Sequence, residues 1–320
     1  MNQSKFSLAD VLTLLTALAF GFMCFLGTNF YTLGNISQSI TLAVIITVLL
    51  GGTALGAKLL KRTSGNFKTC FVWEMIMLVL FTGLLVFFSF SPFPHYFVVS
   101  DQRVEIQNKL TKSITQAENM FAEYEQYAEN RENLYKSKLR SVVAAKNINP
   151  SEYAEYGFER NGINDQKQIE NKMFTVHADL FPTNYVERKQ VASDRLAEER
   201  HTLNNWWAWN IGVVDVVNNV ELNSNDWLNT LVELSTIREK GEHADDFTYN
   251  LSFDDVKKHF TTLGNPTLLS IGLAVLAYLL MILSWIVTKR STKSKYGFRT
   301  LFRSLFSEKN KTVGKYDIKY

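Results

Sequence analysis

The sequence predicts an all-α integral membrane protein: four transmembrane helices, with a helical, coiled-coil-like extracytoplasmic domain inserted between spans three and four. Three observations predict it. Residues 11–31, 40–60, 71–91 and 266–288 are apolar runs that meet the roughly 20-residue length a bilayer requires. The chain between the third and fourth runs is densely charged. Within it, Leu110, Ile114, Ala117, Phe121, Tyr124 and Ala128 recur at alternating spacings of four and three, the seam of a helix that faces another helix.

These boundaries divide the 320 residues into a three-span membrane region (1–99), the helical domain (100–265), the fourth span (266–288) and a basic amphipathic tail (289–320). Charge divides in the same way. Residues 100–265 hold 19 Lys+Arg against 27 Asp+Glu, a balance of about −8, whereas 289–320 hold 10 against 2, about +8. The formal net charge of +3 hides both. Cys24 and Cys70 lie in or beside apolar runs and the helical domain has no cysteine, which excludes a disulfide framework or cysteine metal site there. The apolar run after Met1–Asp10 is too long for the h-region of a cleavable signal peptide.

Span one, from Val11, carries no charge; span two carries only Lys58 near its end. The link between spans one and two holds no Lys or Arg, whereas the next link holds Lys58, Lys61, Arg62 and Lys68, and the chain after span four opens with Lys289 and Arg290. The positive-inside rule then puts both termini in the cytoplasm and residues 100–265 outside, in a plasma (inner) membrane. Ala17 and Gly21 in span one and Gly52 and Gly56 in span two are small residues that let helices approach closely. Glu74 is the acidic residue inside an apolar run, about a turn from the cytoplasmic end. An intramembrane carboxylate is a candidate for ion or proton traffic, but pairing with a neighbouring basic loop residue explains it as well. Pro92 and Pro94 interrupt the end of span three, so a kink or short extended link belongs there.

From Ser100, a suitable N-cap, one long polar helix is expected to run to Lys146, with Arg131 interrupting its seam and Leu134, Leu139 and Val142 forming a shifted stripe. Asn147–Pro150 breaks it. A helix over about 166–178 ends before Pro182, and another from Tyr185 to about Asn204 returns along the first with Val191, Leu196 and Leu203 as apolar positions. Trp206, Trp207 and Trp209 open the most apolar part of this domain. That part suits a buried core helix, a segment anchored in the outer leaflet, or a surface docked on a partner subunit. An amphipathic helix follows near 226–234, then an acidic loop (240–248), a capped helix (252–260), and Asn265-Pro266 as N-cap and first residue of span four.

The chain lacks a phosphate-binding glycine loop, a His-Glu-x-x-His pair and a nucleophile elbow. Glu198 and His201 form a single i, i+3 pair, and a carboxylate-bridged dimetal centre needs two. The sequence therefore assigns no catalytic, cofactor or metal residues and points away from an enzyme. In the tail, Phe298, Leu301 and Phe302 share a face beside Arg299 and Arg303, a short basic helix suited to anionic lipid of the cytoplasmic leaflet. No folded nucleic-acid module accompanies that charge. The function these features suggest is a scaffold or structural subunit of a larger cell-envelope complex. It would work through protein–protein contacts of the helical domain, with other membrane or envelope subunits or further copies of itself as partners. A transmembrane sensor passing an outer signal to the tail is the alternative. A channel or transporter subunit comes third, because Glu74, Thr13, Thr16 and Asn29 make a thin polar path.

Overall fold

The computed structural model describes residues 7–63, 67–160, 164–207 and 210–290, and among them the regular elements are all helices. In chain order these are α1 (Leu8–Tyr31), α2 (Ile36–Arg62), α3 (Phe67–Phe90), α4 (Phe93–Asp101), α5 (Arg103–Ala144), α6 (Pro150–Glu155), α7 (Asp165–Leu180), α8 (Tyr185–Asn204), α9 (Gly212–Thr236), α10 (Asp254–Thr261) and α11 (Leu268–Val287). They form two compact units: residues up to Asp101 with those from Thr262 onward, and Gln102–Thr261.

The first unit holds the four helical stretches long and apolar enough to cross a membrane: α1, α2, Thr69–Asp101 and α11. These mark a membrane protein. α1 packs on α2, α4 and α11, and α2 and α11 both pack on α3. The α1–α2 turn uses Leu33 and Gly34 at positive φ (50° and 91°), and the Asn35 side chain then caps α2 by accepting from the Gln38 amide at 3.1 Å. Close approach depends on small residues. A Cβ on Gly21 would fall 1.9 Å from Thr47 Oγ1, and one on Gly51 lies 3.6 Å from Ala17 Cβ. Gly52 is one residue, and so about 100°, off this face; a Cβ there meets nothing within 4 Å, and one on Gly56 meets only Met77 Sδ, at 3.9 Å. On the α1 side of α2 it is Gly51, not Gly52, that faces Ala17, with room for a Cβ at ordinary contact distance.

The chain breaks at Ser91-Pro92, as two prolines in three residues require, but helix resumes at Phe93 rather than at Ser100. Pro94 sits in the first turn of α4, where its missing amide hydrogen costs no helical bond. Residues 93–99 of α4 are buried. Phe93 stacks on Phe20 with ring centroids 4.3 Å apart, and a Cβ on Gly27 would lie 2.2 Å from the Pro92 carbonyl oxygen. Ser100 is therefore inside a helix rather than capping one. Span four begins later than Asn265-Pro266 suggests: Thr267 is the N-cap of α11, its hydroxyl accepting from the Ser270 amide at 3.2 Å.

The second unit is built on α5, 42 residues and about 60 Å long. Leu110, Ile114, Ala117, Phe121, Tyr124 and Ala128 are all buried. The same rhythm continues through Arg131 and Tyr135 to Leu139 and Val142, each buried, whereas Leu134 is 74% exposed. The seam does not shift at Arg131; Arg131 occupies it. α7, α8 and α9 pack on α5, with α8 against α9. On α8 the buried positions are Tyr185, Ala192, Leu196 and Leu203, and Val191 faces outward. The valine-rich stretch and the amphipathic stretch after it join into one helix, α9, with Val213, Val214, Val216, Val217 and Val220 buried. Tyr124 sits at the centre, its hydroxyl donating to the Leu180 carbonyl at 3.0 Å with Phe181, Tyr185 and Phe247 around its ring. This burial pushes the Tyr124 phenol above its ordinary range.

Candidate functional site

Between α9 and α10 the chain runs without regular structure along α5, and hydrogen bonds from tyrosine and arginine side chains fasten it there. The Tyr127 hydroxyl donates to the Asp245 carbonyl (2.7 Å), Tyr135 to the Lys240 carbonyl (3.0 Å) and Tyr249 to the Gln116 carbonyl (2.8 Å). Arg131 does most. Its Nε donates to Glu242 Oε1 at 2.6 Å and its Nη2 to Oε2 at 3.0 Å, a bidentate pair with both side chains buried. Nη1 donates to the Ser235 carbonyl at 2.8 Å, and Nη2 also donates to the Ile237 carbonyl. Glu242 Oε2 further accepts from the Glu239 amide at 3.0 Å. Burial alone would lower the Arg131 pKa; the hydrogen bonds and charge of Glu242 outweigh it and raise the value. Two buried charges with this many partners meet the geometric condition for surviving desolvation. Gly241 turns the strap at φ +73°, where a Cβ would press within 2.7 Å of the Tyr156 ring.

Strap and helix enclose a groove of about 1030 Å3. One wall is the α5 face carrying Glu123, Gln126, Asn130, Leu134 and Lys138; the other is the strap from Arg238 to Thr248, with the Arg131–Glu242 pair on the floor. A smaller recess of about 250 Å3 between α8 and α9 lies over Phe121, Tyr185 and Trp227.

The membrane unit has its own buried charges, gathered where α1 and α3 begin and α2 and α11 end. Lys58 Nζ and the Ser284 hydroxyl both donate to Asp10 Oδ1, and the Ser7 amide donates to Oδ2 at 2.8 Å. Thr13 donates to the Met281 carbonyl at 3.0 Å. Glu74 is fully buried; its Oε1 accepts from Trp285 Nε1 and from Arg290 Nη2, each at 2.9 Å. Its Oε2 is buried with no hydrogen-bond partner among the described residues. Lys61 donates to the Trp285 carbonyl at 2.7 Å and lies 4.2 Å from that indole ring. Glu74 thus pairs with Arg290, three residues past the end of α11, while Trp73 points outward, 51% exposed.

Of the tryptophans, Trp206 is buried against Phe260 and donates to the Asn210 carbonyl at 3.0 Å, Trp207 is 61% exposed, and Trp209 lies outside the described residues. So do Phe298, Arg299, Leu301, Phe302 and Arg303. Glu198 and His201 are exposed, and among the described residues no group of three His, Cys, Asp or Glu side chains is placed to share a metal ion. His177 contacts Glu132 (2.8 Å), and His259 lies between Lys109 (2.6 Å) and Gln102 (2.9 Å). The buried partners Asp10, Lys58, Arg131 and Glu242 are not evident as sites from the sequence. Their trace is register alone: Asp10 falls on the face of Thr13 and Ala17, and Arg131 falls on the α5 seam.

Comparison of the chain with family models, with curated proteins and with solved structures finds no match.

Proposed function

We propose that the chain is a scaffold or structural subunit of a larger cell-envelope complex, working through protein contacts of its Gln102–Thr261 unit. The observation that carries this reading is the groove of about 1030 Å3 between α5 and the 238–248 strap. It lies at the upper end of small-molecule pocket volumes, and its lining mixes charged and polar side chains with a few apolar and aromatic ones. An extended polypeptide makes better use of that lining than a compact ligand does. The charge asymmetry of the loops supports cytoplasmic termini and an extracytoplasmic helical unit, in what we take to be the plasma (inner) membrane. The basic tail then meets anionic lipid. Photo-crosslinking from Asn130 and Leu134 in native membranes tests the proposal. A discrete crosslinked protein is the expected result; strictly monomeric chain with no adduct overturns it.

A sensor is the second reading, and one observation favours it. α5, a wall of the groove, starts two residues after the end of α4, so a single helix joins the groove in sequence to the stretch that leaves the membrane unit. Spin labels on the tail that report no change when the crosslinked partner is bound would remove this reading.

A further inference from the structure

We infer that the groove between α5 and the strap takes a cationic segment of a partner protein, one that carries Lys or Arg side chains beside an apolar residue. This deepens the proposed function and rests on it.

Each lining cation has its counter-ion inside the chain. Arg131 is held by Glu242, Lys138 by Glu152 at 2.8 Å, and Arg238 by Asp246 at 2.5 Å and the Ala244 carbonyl at 2.9 Å. Among the described residues the carboxylates of Glu123 and Asp245 enter no such pair. They come from opposite walls, one from α5 and one from the strap, and the Tyr127 bond to the Asp245 carbonyl fixes the strap backbone at that point. The valence left open in the groove is therefore negative and divided between two walls, an arrangement that fits cations spaced along one chain.

Size and apolar content narrow the class further. From Glu123 to Lys138 the α5 wall is about 22 Å long, the span of about seven extended residues. Leu134 stands on this wall with 74% of its surface exposed, an apolar group open to a partner. A simple polycation would leave it unused. The balance of about −8 over residues 100–265 adds long-range attraction for a basic partner.

The test uses the full chain in detergent micelles. The probe is a fluorescein-labelled nonapeptide alternating lysine and leucine, with a glutamate-for-lysine peptide and spermine as comparisons. The inference expects saturable binding of the lysine peptide that weakens with added salt, and no binding of the glutamate peptide. The Glu123→Gln, Asp245→Asn double variant, which alters no described ion pair and should melt as wild type does, should weaken binding by roughly tenfold. Leu134→Ser should weaken it a few-fold. Equal affinity of the double variant, or binding of the glutamate peptide, overturns the inference. Spermine displacing the peptide at similar concentration, with Leu134→Ser neutral, overturns the polypeptide assignment. If crosslinking from Asn130 captures a protein in equal yield from wild type, the double variant and Leu134→Ser, the scaffold reading stands and this inference fails alone.

Discussion

Lys58 on α2 donates to the carboxylate of Asp10 on α1, and the two side chains are 6% and 4% exposed. Ser284 of α11 completes the site from the other side of Asp10. Three helices, α1, α2 and the sequence-remote α11, thus meet at one carboxylate, in a unit whose remaining buried surface is mostly apolar. Because lipid supplies no hydrogen bonds, these groups depend on one another for solvation.

That dependence predicts a specific asymmetry. Lys58→Met leaves the Asp10 charge buried with only neutral donors, and should cost about 3–5 kcal/mol. Adding Asp10→Asn to that variant should recover part of the loss, since an amide needs no counter-ion. Unfolding of the single and double variants in micelles gives the coupling energy directly. Strict additivity would mean that the contact does not contribute to stability.

Arg131→Met removes the cation but leaves Glu242 buried, again about 3–5 kcal/mol. Here the effect should be local first. The Arg131 guanidinium supplies the bonds to Ser235, Ile237 and Glu242, so the strap should open before the bundle melts. Hydrogen exchange should rise over 237–249 while the α7 and α8 amides stay protected. A uniform rise across the unit would show that the strap and bundle unfold together.

The all-helical class and the four apolar helices were legible because hydrophobicity and period are local properties of a chain. So was the α5 seam from Leu110 to Ala128. Arg131 was misread because a charge at a seam position looks like an interruption until its partner is known. That partner, Glu242, is 111 positions away in a segment that reads only as an acidic loop. Asp10 and Lys58 were invisible as a pair for the same reason: each sits near the end of an apolar run, where solvent-facing charges are ordinary. Gly52 and Gly51 are indistinguishable in composition; only helix phase decides which of them faces α1. The groove has no sequence signature, since its two walls come from separate parts of the chain.

Helix phase makes its own prediction. Gly27→Ala should destabilise the membrane unit by a few kcal/mol, about the cost of overpacking a tight interface. Its Cβ would meet the backbone oxygen of Pro92 at 2.2 Å, and backbone cannot rotate away. Gly21→Ala should cost less, because the atom met at 1.9 Å is the Thr47 hydroxyl, although the Ala43 carbonyl at 3.1 Å limits relief. Gly52→Ala, with open space, should be neutral or slightly stabilising through helix propensity. Melting of the three variants in one detergent ranks them; a costly Gly52→Ala would place the α2 contact on the other face.

Asp165 offers a pH test outside the membrane unit. It opens α7 and accepts from Lys146 Nζ at 2.5 Å and from the Tyr153 hydroxyl at 2.6 Å. The Lys146 bond first, and the Tyr153 bond with it, hold the Asp165 carboxyl below the usual aspartate range. A carboxylate whose folded pKa is depressed contributes stability above its unfolded pKa, about 3.9, and loses it as pH falls through the folded value. Asp165→Asn should therefore lower stability at neutral pH. Because Lys146 is half solvated, with 45% of its side chain exposed, the loss should be about 1 kcal/mol and no more. The gap between wild type and variant should close as the pH is taken below about 4. A gap that stays constant with pH would mean that Asp165 acts at the start of α7 through shape and neutral hydrogen bonding, not through its charge.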